Sequence, residues 1–562
     1  MLWETLKAAR DLGRIHDIAS IMIRYGFGDI VRRLGMSRFL EQAGKVLRWK
    51  DAGAMARMGS PERTRRAFEE MGPTFVKLGQ ILATRVDLFS PEWIREFEKL
   101  QDQVLPLPFE ELRPQLTEDL AAAPEDIFAH LETDALAAGS IAQVHRAQLA
   151  SGEPVILKIR RPGIQPIIEA DLRLLARLAE IAQHEIPELR RFHPADVVRQ
   201  VTQSLRRELD LANEGRNAER LAASFSDDPA ISIPKVYWDW TSERMNVQEY
   251  IDGIPGRKVS AIKEAGLDPS VLAVRGANAV LKMVLEDGFF HADPHPGNLF
   301  YLPNNHIVFI DTGMIGRLSE LRRAQVIDLL RGLVAKDTAL VIDVILNWAN
   351  DVQINAENLA IDIDTFLDNF YGLALKQLNL ATMLTDLTVI MRDHELAMPS
   401  DLALLLKVFI TLEGLGRQLD PNFNMVAEAT PFVKRAMLAR YQPAALAKRS
   451  WRNFAEIMDI LSNLPRDIRR LLTSARRGAL QFNVNISRLD RFAHELDRAA
   501  SRLTVGMVTS ALIIGTSIVS TIEGGPTLLG LPILGLLGFA GAGLGGLWLV
   551  VSIWRSGRNN IT

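Results

Sequence analysis

The chain has 562 residues, with 65 Lys and Arg against 68 Asp and Glu and a formal charge of -3. That length suits several domains around a large core, and the balanced charge excludes bulk electrostatic capture of nucleic acid, so no nucleic-acid partner is expected. There is no cysteine, which excludes disulfides, cysteine nucleophiles, Cys-ligated zinc and iron–sulfur clusters.

In chain order, residues 1–59 predict amphipathic N-terminal helices. Leu2 to Leu34 is net basic, and Arg10, Asp11, Arg14, Asp17, Arg24, Arg32 and Arg33 interrupt any apolar run, so it is no signal peptide. Such a helix either packs on the domain or lies on a membrane surface. Residues 60–130 also read as helix. Ser60-Pro61 and Ser90-Pro91 pair an N-cap with a first-turn proline, and Gly72-Pro73 ends one helix and opens the next. From about 133 to 160, Val144, Val155, Ile156, Leu157 and Ile159 predict short strands around the turn Ala150–Glu153. Helix follows over 167–225, a strand over Met245–Ile251, helix over 268–288, and a strand over His306–Ile310 that runs into Asp311. From 317 to about 500 the pattern is helical.

Two stretches near the C-terminus, Leu503–Ile522 and Leu528–Trp554, carry no charged residue. Each is long enough to cross roughly 30 Å of hydrocarbon at 1.5 Å per residue. Glu523-Gly-Gly-Pro-Thr527 supplies a short turn between them. Arg488, Arg491, Arg498, Arg502, Arg555 and Arg558 flank the outer ends, which predicts a transmembrane hairpin with both termini cytoplasmic. Small residues four apart (Gly538, Ala542, Gly546; Gly541, Gly545) allow close helix approach, either within the hairpin or between protomers of a homodimer.

The chemistry concentrates in the middle. Lys158 sits within the apolar strand Val155–Ile159, where an unpaired ammonium would be costly. Glu208, on a predicted helix, is a candidate partner that would orient it, as in the phosphate-gripping Lys–Glu pair of protein kinases. The loop His291-Ala-Asp-Pro-His-Pro-Gly-Asn298 holds Asp293 and, five residues on, Asn298. That is the spacing of a kinase catalytic base and its magnesium ligand. Asp311, in Asp311-Thr-Gly313, stands where the second magnesium ligand falls, and hard oxygen ligands shared with phosphates suit Mg²⁺. A His291/Asp293/His295 site for zinc or iron is the rival, but it leaves Lys158, Glu208, Asn298 and Asp311 unexplained.

Further motifs resemble the UbiB family of atypical kinase-like proteins, which is linked to ubiquinone biosynthesis. They are Lys77-Leu-Gly-Gln80, Arg85-Val-Asp87, Glu98-Lys-Leu-Gln-Asp102, the Ala-rich Ala137-Ala-Gly-Ser-Ile-Ala-Gln-Val144, and Glu208-Leu-Asp-Leu-Ala-Asn-Glu214. The resemblance spans about residues 60 to 320 together with the C-terminal hairpin. It implies an α+β, protein-kinase-like two-lobe fold with an N-terminal helical extension, a large helical C-lobe and a C-terminal transmembrane helical hairpin. The corresponding segments are 60–130 for the extension, 131–255 and 256–500 for the lobes, and 503–522 and 528–554 for the two spans. It implies ATP and Mg²⁺ as cofactors, with the loop Leu136, Ala137, Ala138, Gly139, Ser140, Ile141, Ala142, Gln143 and Val144 on the phosphates. Lys158 would take the α/β-phosphates, oriented by Glu208. Asn298 and Asp311 would hold Mg²⁺, Glu249 and Tyr250 would form the adenine hinge, and Asp293 would be the base.

Where the family loop commonly has a third alanine this chain has Gly139, which adds backbone freedom. Lys77 and Gln80 are three apart and share a helix face; Glu98 and Asp102, four apart, are expected to do likewise. With Glu214 these form the family's regulatory motif, in which the extension folds over the site and hinders phosphorylation of proteins. The implied setting is the bacterial inner membrane, with the catalytic domain cytoplasmic. The implied partners are membrane lipid, quinone-precursor-like small molecules and ubiquinone-biosynthesis enzymes.

Overall fold

The computed structural model describes residues 9–33, 58–100, 104–186, 193–348, 356–370, 378–396 and 398–440. Toward the C-terminus it describes 504–518, 527–528, 531–532, 537, 540–544 and 546. The chain divides into two compact units, Met1–Lys448 and Arg449–Thr562.

Within the first unit the strands are β1 (Phe128–Leu131), β2 (Ala137–Ala138), β3 (Ala142–Leu149), β4 (Pro154–Arg160), β5 (Ile231–Ser232) and β6 (Met245–Glu249). They continue as β7 (Ile254–Pro255), β8 (Phe289–His291), β9 (Leu299–Leu302), β10 (His306–Phe309) and β11 (Ile315–Arg317). The upper lobe is an antiparallel sheet in the order β1-β3-β4-β6, with β2 paired to β3. Side chains alternate between faces along each strand. Val155, Leu157 and Ile159 of β4 therefore meet Val247 of β6 and Phe109, Leu112 and Leu116 of the helix Phe109–Leu120 in one apolar cluster. Each such fully buried side chain contributes roughly 1.5–3 kcal/mol. Lys158 has the opposite parity. It stands across from Val144 and Asn246, on the face turned to the second lobe.

The second lobe is helical apart from two small sheets, β5-β10-β9-β7 and β11-β8. Its core joins Leu272, Ala277 and Val280 of the helix Pro269–Leu281 to Leu405, Phe409 and Leu412 of the helix Ser400–Leu419. The expected helix over 268–288 ends its α-helical run at Leu281 and continues as a π-helical turn, Lys282–Asp287, before β8. β8 and β9, three and four residues long, flank the Asp293 loop; their shortness hides them from any periodicity reading.

The described residues of the N-terminal segment form two helices, Ala9–Arg24 and Gly28–Arg33, parted at Gly26, whose φ of +83° suits glycine. Ile15 and Ile18 pack with Phe75 and Ile168, so the apolar face described for this helix is buried on the extension. Arg14 reaches into the same layer and donates to both carboxylate oxygens of Asp171, which also accepts from Thr74. Extension helices Ser60–Met71 and Pro73–Ala83 are separated by Gly72 at φ +98°. Arg85 grips Asp87 through two hydrogen bonds of 2.9 and 2.7 Å. Asp87 accepts from the Met398 amide and Arg85 donates to the Met398 carbonyl. This staples the extension to the segment just ahead of the helix Ser400–Leu419.

In the second unit, residues 504–518 form a helix, and Thr527–Leu528 pairs with Leu531–Pro532 as a short strand ladder. The predicted second span therefore does not begin as helix at Leu528. No helix among the described residues is long and apolar enough to cross a membrane. Most of the second predicted span, residues 519–522 of the first, and residues 441–503 lie outside the described residues.

Candidate active site

A cavity of about 680 Å³ lies between the sheet, the Asp293 loop and the extension. That volume is typical of a small-molecule or cofactor site. Its walls include Ala137 to Ala142, Val144, Lys158, Glu214, Asp293, Asn298 and Asp311, and, from the extension, Lys77, Gln80 and Glu98.

The lysine's partner differs from the expected one. Lys158 Nζ lies 2.9 Å and 2.8 Å from the two oxygens of Glu214 and 3.5 Å from Asp311 Oδ1. Glu208 instead pairs with Lys77 at 2.8 Å. The cause is a helix break. The helix Pro194–Leu209 ends at Asp210, whose carboxylate caps the next helix, Leu211–Ser224, by accepting from Asn213. The second helix carries Glu214 under β4, and the first leaves Glu208 facing the extension. Burial tends to lower the Lys158 ammonium, but Asp311 and Glu214 outweigh it and raise it above the usual lysine value. Burial raises the Glu214 carboxyl to about 7 against the pull of Lys158. Lys158 holds Asp311 at about 2.

Asp311 adopts φ +56°, a left-handed conformation that short polar residues tolerate, and its Oδ1 accepts from the Gly313 amide at 3.2 Å. Thr312, where a usual kinase has phenylalanine, is buried and donates to the Glu214 carbonyl at 2.9 Å; its own carbonyl accepts from Asn217. The loop is thereby fixed to the helix carrying Glu214. Asn298 donates from Nδ2 to the Asp293 carbonyl at 3.1 Å, which orients Asn298 toward the loop interior. The hard oxygens of Asn298 and Asp311 on one cavity fit a Mg²⁺ whose remaining ligands come from phosphates.

His291 does not serve a metal. It is fully buried, its Nε2 faces the Ile310 carbonyl at 3.1 Å, and its Nδ1 accepts from the Asp293 amide at 3.2 Å. It sets the loop's conformation. Among the described residues no group of His, Asp and Glu is placed to hold an ion unaided.

Four of the expected nucleotide residues are not at this cavity. Leu136 is exposed outside it, and Gln143, by strand parity, faces away. Gln143 accepts from the Leu107 amide and donates to its carbonyl, pinning the chain that leads out of the extension. Neither Glu249 nor Tyr250 lines the cavity, and their amides donate to Lys235 and Pro154. Gly139 has no positive φ; its amide bonds to the Ala142 carbonyl and its own carbonyl accepts from Arg161. The loop is a tied hairpin in which that glycine amide is already used.

The extension closes one side. Gln80 donates to the Leu100 carbonyl at 3.2 Å. Gly79 permits this contact, since a Cβ there would meet Leu100 Cδ1 at 2.1 Å. The helix Pro91–Phe97 ends with Glu98 as its C-cap, and the expected pairing of Glu98 with Asp102 lies outside the described residues. Lys407, from the helix Ser400–Leu419, lies 3.4 Å from Asp293 Oδ1. Nothing local in the sequence signals Lys407 or Thr312; only the tertiary fold brings them in.

Residues 99–345 match the ABC1 atypical kinase-like domain, 363–424 the UbiB helical domain and 487–555 the ABC1/UbiB kinase-like C-terminal domain. A Clostridium pasteurianum protein described as an uncharacterized protein in the hydrogenase 1 5′ region is 30% identical over 97% of this chain and 99% of its own. The probable protein kinase UbiB of Pseudomonas aeruginosa is 33% identical over 81% of this chain and 86% of its own. That of Sodalis glossinidius is 30% identical over 90% and 93%. A solved Mycobacterium tuberculosis structure, the Rv3197–erythromycin complex, matches 56% of this chain at 19% identity with a TM-score of 0.44, too loose a likeness to carry an argument. The kinase-like lobes, the extension closing on their cavity and these matches together make the chain a member of the UbiB family of ABC1 atypical kinase-like proteins.

Proposed function

We propose that this protein is a membrane-anchored, Mg²⁺-ATP-dependent atypical kinase or ATPase that supports ubiquinone biosynthesis by hydrolysing ATP or phosphorylating a small lipid-like molecule. The observation that carries the reading is the shared cavity. Lys158 held by Glu214, the Asp293 loop with Asn298, and Asp311 all face it. Lys158 would grip the α/β-phosphates, and Glu214 keeps its ammonium in place. Asn298 and Asp311 would hold Mg²⁺, which supplies charge neutralisation to the phosphates. Asp293 would orient water or an acceptor hydroxyl and take its proton. Lys77 and Gln80 stand on the same cavity and narrow the approach of a peptide, which favours a small acceptor over a protein.

The membrane part of the proposal rests on the two charge-free stretches and their basic flanks: a cytoplasmic catalytic unit at the bacterial inner membrane. Quinone-precursor-like phenols partition into that bilayer, and the proposed partners are membrane lipid, such phenols and the enzymes that modify them.

The test is phosphate release by the full chain in lipid vesicles with Mg²⁺-ATP, with and without a quinone-precursor-like phenol, against Asp293→Asn. Lipid- or phenol-stimulated release that disappears in the variant is expected. Equal release by the variant overturns the assignment of Asp293. Mg²⁺-dependent nucleotide binding without release would replace the enzyme with a nucleotide-sensing scaffold.

A further inference from the structure

The Asp293 loop holds no lysine or arginine. Between Asp293 and Asn298 stand Pro294, His295, Pro296 and Gly297. His295 Nδ1 accepts from the Gly297 amide at 2.8 Å, and its Nε2 lies 3.6 Å from Asp293 Oδ2. Of the other lysines on the cavity, Lys158 is engaged by Glu214 and Asp311, and Lys77 by Glu208. A lysine reaches the Asp293 end from 114 residues away in sequence: Lys407 Nζ lies 3.4 Å from Asp293 Oδ1. Its position follows from the helix. Leu402, Leu405, Leu406 and Phe409 of the helix Ser400–Leu419 are buried in the core, and Lys407 lies between those rows at the cavity wall. The staple of Arg85 and Asp87 on Met398 fixes the approach to that helix.

We propose that Lys407 is a catalytic residue, the cation that the helical segment contributes to the transferred phosphoryl group; this rests on the nucleotide reading above. In the transfer, the acceptor oxygen forms its bond to phosphorus and gives its proton to Asp293. The phosphorus–oxygen bond to the nucleoside diphosphate breaks, and its electron pair stays on the diphosphate. The acceptor oxygen must lie about 2.6–3.2 Å from the Asp293 carboxylate and about 3–3.5 Å from the phosphorus before reaction. An ammonium 3.4 Å from that carboxylate is therefore one contact from the terminal phosphoryl oxygens. Lys407 exchanges no proton. It rests on Asp293 without nucleotide and neutralises the phosphoryl oxygens with it, as cation clamps do in phosphoryl transfer.

The experiment compares Mg²⁺-ATP and Mg²⁺-ADP affinity by calorimetry, alongside phosphate release, for the full chain and for Lys407→Met, Lys407→Gln and Lys407→Arg. The methionine and glutamine variants are expected to bind ADP within about twofold of the parent, to lose roughly tenfold in ATP affinity and to lose roughly 100-fold in release. Lys407→Arg recovers a large part of both. Unchanged release, or equal weakening toward ATP and ADP, overturns the proposal. Should Lys407→Met fail to fold, the same comparison stands on Lys407→Gln and Lys407→Arg. A parent chain that binds neither nucleotide overturns the nucleotide reading and this proposal with it. A parent that binds and turns over beside indistinguishable variants overturns this proposal alone.

Discussion

The helices Pro194–Leu209 and Leu211–Ser224 are separated by the single residue Asp210, and each sends a glutamate to a lysine on the same cavity. Glu214 is nearly sealed, with a side chain 6% exposed, and holds a strand lysine 22% exposed; Glu208 is 26% exposed and holds an extension lysine 12% exposed. One chemistry thus serves two purposes. A buried pair, once half of it is removed, leaves an uncompensated charge, whereas a partly wet pair is replaced by water at little cost. The inner pair belongs to the architecture of the proposed phosphate site, and the outer pair fastens the extension to the helix Pro194–Leu209.

That difference sets the order of expected effects. Glu214→Ala leaves Lys158 against Asp311 alone and should cost about 3–5 kcal/mol, measured by denaturant unfolding, with nucleotide binding lost. Gly79→Val forces the helix Pro73–Ala83 off Leu100 and Phe68 within the extension and should cost about 1–3 kcal/mol. Its signature is faster amide exchange confined to the extension, with the Lys158 pair intact. Thr312→Val removes the bond to the Glu214 carbonyl and should cost about 1 kcal/mol while lowering phosphate release more than nucleotide affinity. Glu208→Gln should change stability by no more than about 1 kcal/mol. It should leave nucleotide affinity near that of the parent and raise amide exchange over residues 73–83. Loss of nucleotide binding in Glu208→Gln, as deep as in Glu214→Ala, would erase the distinction between the two pairs.

What could be read along the chain followed the range of the forces involved. Gly72-Pro73 marked a helix boundary because φ and a missing amide are local properties, and the boundary falls there. The strand Val155–Ile159 was legible from its apolar run. The same period-2 logic, applied to Gln143, would have turned it away from the cavity. Choosing Glu214 over Glu208 for Lys158 required knowing that the helix breaks at Asp210, where a capping carboxylate competes with continued helix. Lys407 and Thr312 could not be read at all, because their roles arise from packing between segments about one hundred residues apart. Strands as short as β8 carry no period, so the frame of the Asp293 loop became visible only in three dimensions.

The Arg85–Asp87–Met398 staple has a consequence for any attempt to free the cavity by shortening the chain. Asp87 is buried, and it satisfies both the Arg85 guanidinium and the Met398 amide. A chain begun after residue 100 would strand that amide and loosen the start of the helix that carries Lys407. Removing the cover would open the entrance and blunt the chemistry in the same stroke, so a trimmed protein that gains access to larger acceptors should be a slower catalyst toward every one of them.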